Sequence, residues 1–275
     1  MGRKAIVDSF GEVIVLDMMQ IIKTRKSVRT FNDEKLSSED IDRISSYANN
    51  IKNPYKIPVE FIILDSHEHD LSSPVIEGEE YYIIAKVPRV RHCEEAFGYS
   101  FEEMVLYAWS LGIGTTWIGG TLNREVFENA VGVDDDEYMM IVSPLGYPSD
   151  NPSKVDQNLR EMVKGDERFP YSELFFKDDF NTPLDCVEDC LEAVRWAPSA
   201  ANRQPCRVVK AENDYHFYVK HTRGYKSGVG WQVQKIDLGI ALSHFMSVVD
   251  AEFRIDDPGI ETDEFTEYIA TLSLK

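Results

Sequence analysis

The sequence has little of what would make it a stapled module, a membrane protein or a general polyanion binder. Only 4 cysteines occur in 275 residues. Cys93, Cys186, Cys190 and Cys206 show no framework of close spacings, which excludes a disulfide scaffold and makes reduced thiols in a cytoplasmic setting the expectation. Cys186 and Cys190 stand at i, i+4 but have no histidine nearby, so they read as helix packing and not as a zinc site. No apolar run approaches the roughly 18 residues of a membrane span. Residues 1–22 carry Arg3 and Lys4 before an apolar stretch that Asp8, Glu12 and Asp17 interrupt, which makes a poor signal peptide. Met18 and Met19 offer alternative starts, and residues 1–20 read as an unpacked extension. Cations are scarce, with 29 Lys and Arg against 48 Asp and Glu for a net charge of −19. That surface repels polyanions, so neither nucleic acid nor an anionic membrane is an expected partner. The 6 histidines are scattered and form no Ser/His/Asp or Cys/His arrangement. No protein nucleophile and no metal ligand is therefore expected.

What is present is enough apolar residue, 43%, to bury a large core in one unit or two. A short helix is expected over 15–24, and Ser37-Ser38-Glu39-Asp40 reads as a capping box with Ile41 and Ile44 turned inward. Residues 59–64, 81–87 and 138–145 read as strands, 101–111 as a helix stopped by Gly112 and Gly114, and 124–131 as a polar helix. A second part begins near Asn181. There Thr182-Pro183-Leu184-Asp185 reads as a helix start, followed by Leu184, Val187, Leu191 and Val194 at helical spacing. Pro198 ends that helix. A hairpin over 206–221, a long helix over 232–249 and a final strand over 251–255 complete the pattern. Both parts run in the order capped helix, turn, strand, long helix, strand. Ile41 on Cys186 (an offset of 145) and Ala108 on Ala241 (an offset of 133) point to an internal duplication.

Three segments stand out chemically. Lys23, Arg25, Lys26 and Arg29 put four cations into seven residues of an acidic chain, with Ser27 among them. Arginine forks grip phosphate oxygens bidentately and a serine hydroxyl both donates and accepts, so the cluster suits a phosphorylated cofactor; a solvated face is the alternative. Gly112-Ile113-Gly114-Thr115-Thr116-Trp117-Ile118-Gly119-Gly120 has Gly120 where a phosphate loop needs lysine, and it fails the dinucleotide fingerprint as well. What survives is backbone that a ligand can approach closely, or a plain loop. Ala197-Pro198-Ser199-Ala200-Ala201-Asn202-Arg203-Gln204-Pro205 offers small residues beside two amides, a flat wall with a polar edge or an ordinary turn.

Taken together with Leu145-Gly146-Tyr147-Pro148, these segments make the chain resemble the flavin-dependent nitroreductase family from Ile21 to Ile255. The resemblance implies an α+β, nitroreductase-like fold of mixed sheets flanked by helices, with internal pseudo-two-fold symmetry. Ordinary members form homodimers with two FMN sites, one subunit supplying the arginine and glycine motifs and the other the Pro-Ser wall. Here residues 21–180 carry the first set and 181–275 the second, whereas Asn49-Asn50-Ile51-Lys52-Asn53-Pro54 has lost the wall. That complementarity implies a fused pseudo-dimer, monomeric, with one FMN per chain.

Carried over by position, the resemblance implies that Arg25 meets phosphate or ribityl. Lys26 adds charge or a backbone contact there, and Ser27 and Arg29 reach the ribityl and pyrimidine side. Trp117, Ile118, Gly119 and Gly120 lie along the isoalloxazine. Pro198, Ser199, Ala200, Asn202 and Gln204 cover the ring and bind its edge, and Arg168 is a late phosphate contact. Cys206 stands where members commonly have Trp. The implied activity is an FMN-dependent NAD(P)H oxidoreductase working by ping-pong hydride transfer to a small acceptor, a nitroaromatic, quinone or free flavin. A member with dedicated chemistry such as dehalogenation, a non-catalytic flavin binder for storage or sensing, and a structural domain remain as alternatives. The segments 66–80 and 221–230 are expected to shape the pocket.

Overall fold

The computed structural model describes residues 2–7, 11, 13–225 and 230–275. Two helices form its spine, α3 (Cys93–Ser110) and α8 (Val233–Val248), and each is buried on nearly every face. They touch closely enough to require glycine at both crossings. A β-carbon on Gly98 would overlap the Ile236 carbonyl oxygen, and one on Gly239 would overlap that of Glu95. The contact is reciprocal, since a shift of 141 residues carries Gly98 onto Gly239 and Glu95 onto Ile236. The same shift carries Glu102 and Glu103 onto Ser243 and His244, which are their hydrogen-bond partners in crossed order. Helix packing thus sets a register of 141, where apolar patterning points to 133.

Around the spine lie two layers of sheet. On one side β3 (Glu60–Asp65), β4 (Tyr81–Pro88) and β5 (Glu137–Leu145) pair antiparallel in that order. On the other side a mixed five-stranded sheet runs in the order β6 (Phe175–Lys177), β7 (Cys206–Ala211), β8 (Asp214–Lys220), β10 (Thr266–Leu274) and β9 (Ala251–Arg254). β10 separates β8 from β9, so the strand expected to end the fold is an edge and a later one is interior. This is the expected α+β architecture of mixed sheets flanked by helices.

Local signals set several elements directly. The Ser37 hydroxyl accepts from the Asp40 amide at 3.1 Å and opens α2 (Ser38–Asn49), with Ile44 fully buried. α4 runs Arg124–Val131, and Gly112 adopts φ +79° just beyond α3. Elsewhere long-range contacts override the pattern. Residues 15–17 belong not to a helix but to β2 (Val13–Asp17), which pairs with β1 (Arg3–Val7); Asp17 then caps α1 (Met18–Thr24). The expected 1–20 extension, outside its undescribed residues, is packed: Leu16 joins the core and Lys4 pairs with buried Glu103. The helix expected from Thr182 begins only at α7 (Asp189–Arg195). Residues 182–184 instead pair with β6 through Lys177 N to Thr182 O and Leu184 N to Phe175 O, which leaves Val187 72% exposed. Two further helices, α5 (Lys154–Met162) and α6 (Tyr171–Leu174), precede β6 in the chain. Cys190 is buried within α7 while Cys186 lies ahead of the helix and is exposed, so the two do not share a helix face; all four thiols are free. Among the described residues no helix is long and apolar enough to cross a membrane, and no cluster of side chains could hold a metal ion.

Candidate functional site

A cavity of about 560 Å³ opens where the spine meets the loops of both chain parts. That is the size of a small-molecule or cofactor site. Its lining comes from the end of α1 and the segment after it, from Thr116 to Gly120, from α5 and the loop that follows it, from the Pro198 wall and from the first turns of α8. Of the residues singled out in the sequence, Arg25, Lys26, Ser27, Arg29, Trp117, Gly119, Gly120, Arg168, Pro198, Ser199, Ala200 and Asn202 all reach it. Segments spread along the chain from Lys23 to Ile240 thus converge on one space.

The cation segment is held against the glycine turn by backbone. Val28 N donates to Thr115 O at 2.9 Å, and Gly114 must lack a side chain because a β-carbon would stand 2.8 Å from Val28. Gly120 has open space where a β-carbon would point, so a ligand can approach its backbone. The side chain of Arg25 is only 5% exposed and lies 3.7 Å from the carboxylate of Glu102. Glu102 also accepts from Trp117 Nε1 at 3.2 Å, so one buried group behind the lining orients both a cation and an indole. Arg29 differs from its neighbours. Its Nη1 bonds Asp156 at 3.0 Å, which spends its charge within the protein.

Arg168 is the second buried cation. Its guanidinium lies 5.0 Å over the Trp196 ring, and Nη1 donates to the carbonyls of Gly165 and Glu167. Burial, with the charge of Arg25 adding to it, pushes Arg168 down to about 10. Its Nε and the Arg25 Nε lack hydrogen-bond partners among the described residues.

The wall is a strained turn. Ala201, Asn202 and Gln204 take φ of +50°, +53° and +49°, which costs roughly 1–3 kcal/mol per residue and persists only where surrounding bonds dictate it. Those bonds are present. Ser199 Oγ accepts from Gln204 N at 2.8 Å, and Asn202 Nδ2 donates to Lys164 O at 2.7 Å and Glu167 O at 3.0 Å.

Two singled-out side chains do not line the cavity. Ile118 pairs its backbone with Val142 and sinks into a separate apolar cluster. Gln204 lies behind the wall, where its Oε1 accepts from Phe169 N at 2.8 Å and ties the Arg168 segment to the turn. Cys206 is buried behind the same wall, outside the lining. Of the segments expected to shape the pocket, Tyr225 does line it and residues 226–229 lie outside the described residues, while none of 66–80 takes part.

Sequence reasoning missed Trp196, Trp231 and above all Asp237. Asp237 is the acidic residue of α8, 5% exposed, set among Ile236, Leu238 and Ile240, and that mismatch was its available signal.

A family model described as "Putative TM nitroreductase" matches residues 17–248. The chain belongs to the nitroreductase family. Membership gives its general class, oxidoreductase. Proteins described as "Putative NADH dehydrogenase/NAD(P)H nitroreductase" from Methanothermobacter thermautotrophicus and Archaeoglobus fulgidus are similar to it. The first is 27% identical over 175 residues, covering 56% of this chain and 88% of the relative. The second is 24% identical over 174 residues, covering 56% and 93%. A solved structure from Thermotoga maritima, described as a "putative nitroreductase", has the same nitroreductase fold along nearly the whole length. It covers 94% of each chain at 21% identity with a TM-score of 0.59.

Proposed function

We propose that the chain is an FMN-dependent NAD(P)H oxidoreductase that reduces small acceptors such as nitroaromatics or quinones. The observation that carries this is the pair of buried arginines. Arg25 and Arg168 line one cavity, repel one another and keep unbonded Nε groups. Two desolvated like charges are costly unless an anion lies between them, and arginine is the side chain best shaped for phosphate. The rest of the lining fits the rest of FMN. Trp117, Trp196 and Pro198 offer flat apolar surface, Gly119 and Gly120 offer close backbone, and Ser27 and Asn202 offer polar edges.

In this reading Arg25 and Arg168 hold the phosphate. Trp117 to Gly120 and Pro198 to Ala200 enclose the ring system, with Ile118 and Gln204 supporting from behind. Bound FMN would supply the redox chemistry, accepting hydride from NAD(P)H and delivering electrons to the acceptor in a ping-pong cycle. The chain binds, orients and excludes water. Lys26, exposed and without the carboxylate that occupies Arg29, is the cation best able to meet negative charge developing on a bound ring.

The reciprocal spine contacts and the half-covering relatives support a further part of the proposal. The chain is a fused pseudo-dimer, monomeric, of residues 21–180 and 181–275, with one of two sites kept. The test is direct. Purified protein should be yellow, carry one FMN per chain and bleach anaerobically with NADH or NADPH, then recover colour with a quinone. A colourless protein that ignores added FMN would refute the flavin reading, a yellow one that neither nucleotide bleaches would refute the reductase reading, and two FMN per chain would refute the single site.

A further inference from the structure

Arg168 lines the cavity with no carboxylate bonded to it among the described residues. Burial works against its charge, and so do Arg25, Arg195 and Arg160. Asp166 favours the charge, but that carboxylate is bonded to Arg160. What holds Arg168 is of another kind. The two N–H groups of Nη1 are matched by two carbonyls, Gly165 O at 2.9 Å and Glu167 O at 2.8 Å. Its Cζ stands over the Trp196 ring, 5.0 Å from the centroid. That is inside the roughly 6 Å over which an aromatic face attracts a cation, and the attraction grows where water is excluded.

The ring beneath the cation is itself fixed. Trp196 follows directly on the last residue of α7, and its Nε1 donates to Glu192 Oε1 at 2.9 Å. Arg195, beside it, donates from Nε to the Phe169 carbonyl at 2.9 Å, so the end of α7 also grips the backbone next to Arg168. With Nη1 spent on carbonyls, the nitrogen left for a ligand is Nη2. It makes no hydrogen bond among the described residues and, unlike Nε, is not buried. A ring face that lies under a guanidinium is not available to stack on a flat ligand.

We propose that Trp196 is a positioning residue for the cofactor phosphate: its ring holds the Arg168 guanidinium at the cavity wall with Nη2 presented to a phosphate oxygen. This rests on the proposed function and adds the residue on which its second phosphate contact depends. Trp196 acts through Arg168, and its effect is confined to ligands that carry the phosphate. The planar group is essential to the arrangement. A lysine at 168 keeps the charge but has no flat face to lay on the indole and no second nitrogen to anchor on the carbonyls.

The test is titration of the flavin-free protein with FMN and, in parallel, with riboflavin, which lacks the phosphate. Trp196→Met removes the ring face and should weaken FMN about fivefold or more while leaving riboflavin within about twofold of wild type. Trp196→Phe keeps a ring face and should recover most of the FMN affinity. In an Arg168→Met background, Trp196→Met should make no further difference to FMN. Equal weakening of FMN and riboflavin, the result of a stacking or purely structural role, overturns the proposal, and so does an unchanged FMN affinity. Arg168→Lys tests the same point if Trp196→Met does not fold. It should lose as much FMN affinity as Arg168→Met, and retention of affinity by lysine overturns the proposal. Inorganic phosphate, followed by phosphorus NMR, reads the contact without flavin. A wild type that binds neither flavin, yet loses phosphate in Trp196→Met, removes the flavin reading and keeps this inference. Flavin binding that ignores Trp196 removes this inference alone, and a wild type that takes up neither flavin nor phosphate removes both.

Discussion

Glu102 lies midway along α3 and is fully buried. Its Oε1 meets His244 Nε2 at 2.9 Å and lies 3.7 Å from Arg25 Nε, while Oε2 accepts from Trp117 Nε1 at 3.2 Å. On its far side His244 Nδ1 faces the Ala193 carbonyl at 2.9 Å, and because a carbonyl only accepts, Nδ1 carries a hydrogen. One side chain therefore joins a cavity arginine, a cavity indole and the helix of the other chain part. Glu102→Ala strands all three donors in the interior. Removing one member of a buried charged pair costs about 3–5 kcal/mol, out of a total stability of about 5–15 kcal/mol for a folded domain. Glu102→Gln keeps one acceptor oxygen but no charge for Arg25, and should cost about 1–3 kcal/mol. Urea unfolding of the wild type, Glu102→Ala, His244→Ala and the double variant measures both quantities. The coupling between the two sites should be about 1–3 kcal/mol. A loss below about 1 kcal/mol in Glu102→Ala, or strictly additive effects, would refute the view that this carboxylate carries the joint.

Arg25→Ala should weaken FMN binding by about 1.5–3 kcal/mol through loss of a charge-assisted contact. Arg29→Ala should weaken it less, because Arg29 is already bonded to Asp156; equal losses on titrating apoprotein with FMN would overturn the placement of the phosphate. Gly98→Ala and Gly239→Ala each drive a methyl group into backbone and should each cost at least about 1–3 kcal/mol. A wild-type Tm for either would contradict the spine register. For Asp237 the sign follows from its elevation by burial to about 8 against an ordinary value of about 3.9. Between those values the folded chain keeps a proton that the unfolded chain has lost, so this residue lowers stability as pH rises from about 4 to about 8. Asp237→Asn should therefore gain stability relative to wild type across that window, and a pH-independent difference in denaturant midpoints would contradict it.

Much of this was legible in the sequence where the cause is local. Ser37 caps α2, Gly112 follows α3, and α4 occupies the span its pattern predicts, because each depends on neighbours a few residues away. Residues 182–188 carry a good helix start and form none, because pairing with β6 satisfies their backbone first. The first turns of α3 hold Glu95 and Gly98, which no apolar stripe marks; α8 packs against both. Most residues singled out by motif reach the cavity, and the two side chains that miss it do so for one reason. Ile118 and Gln204 belong to segments whose backbones reach the site while the side chains point behind it. Asp237 was hidden because its contact depends on Ala200, 37 residues away.

The distribution of charge explains why the cavity lies where it does. Outside, the chain is strongly acidic, with a net charge of −19. Along the spine, α3 buries Glu102 and Glu103, and each is answered across the joint: Glu102 by His244, and Glu103 by Ser243 and Ser247. Those bonds join the two parts of the chain. In the cavity lining Arg29 is neutralised by Asp156 and Arg160 by Asp166. Among the described residues Arg168 has no such carboxylate partner, and Arg25 has Glu102 only at 3.7 Å, a carboxylate already bonded to two other donors. On the proposed function a small anion entering the cavity offsets them, one phosphate admitted by an acidic exterior that turns larger polyanions away.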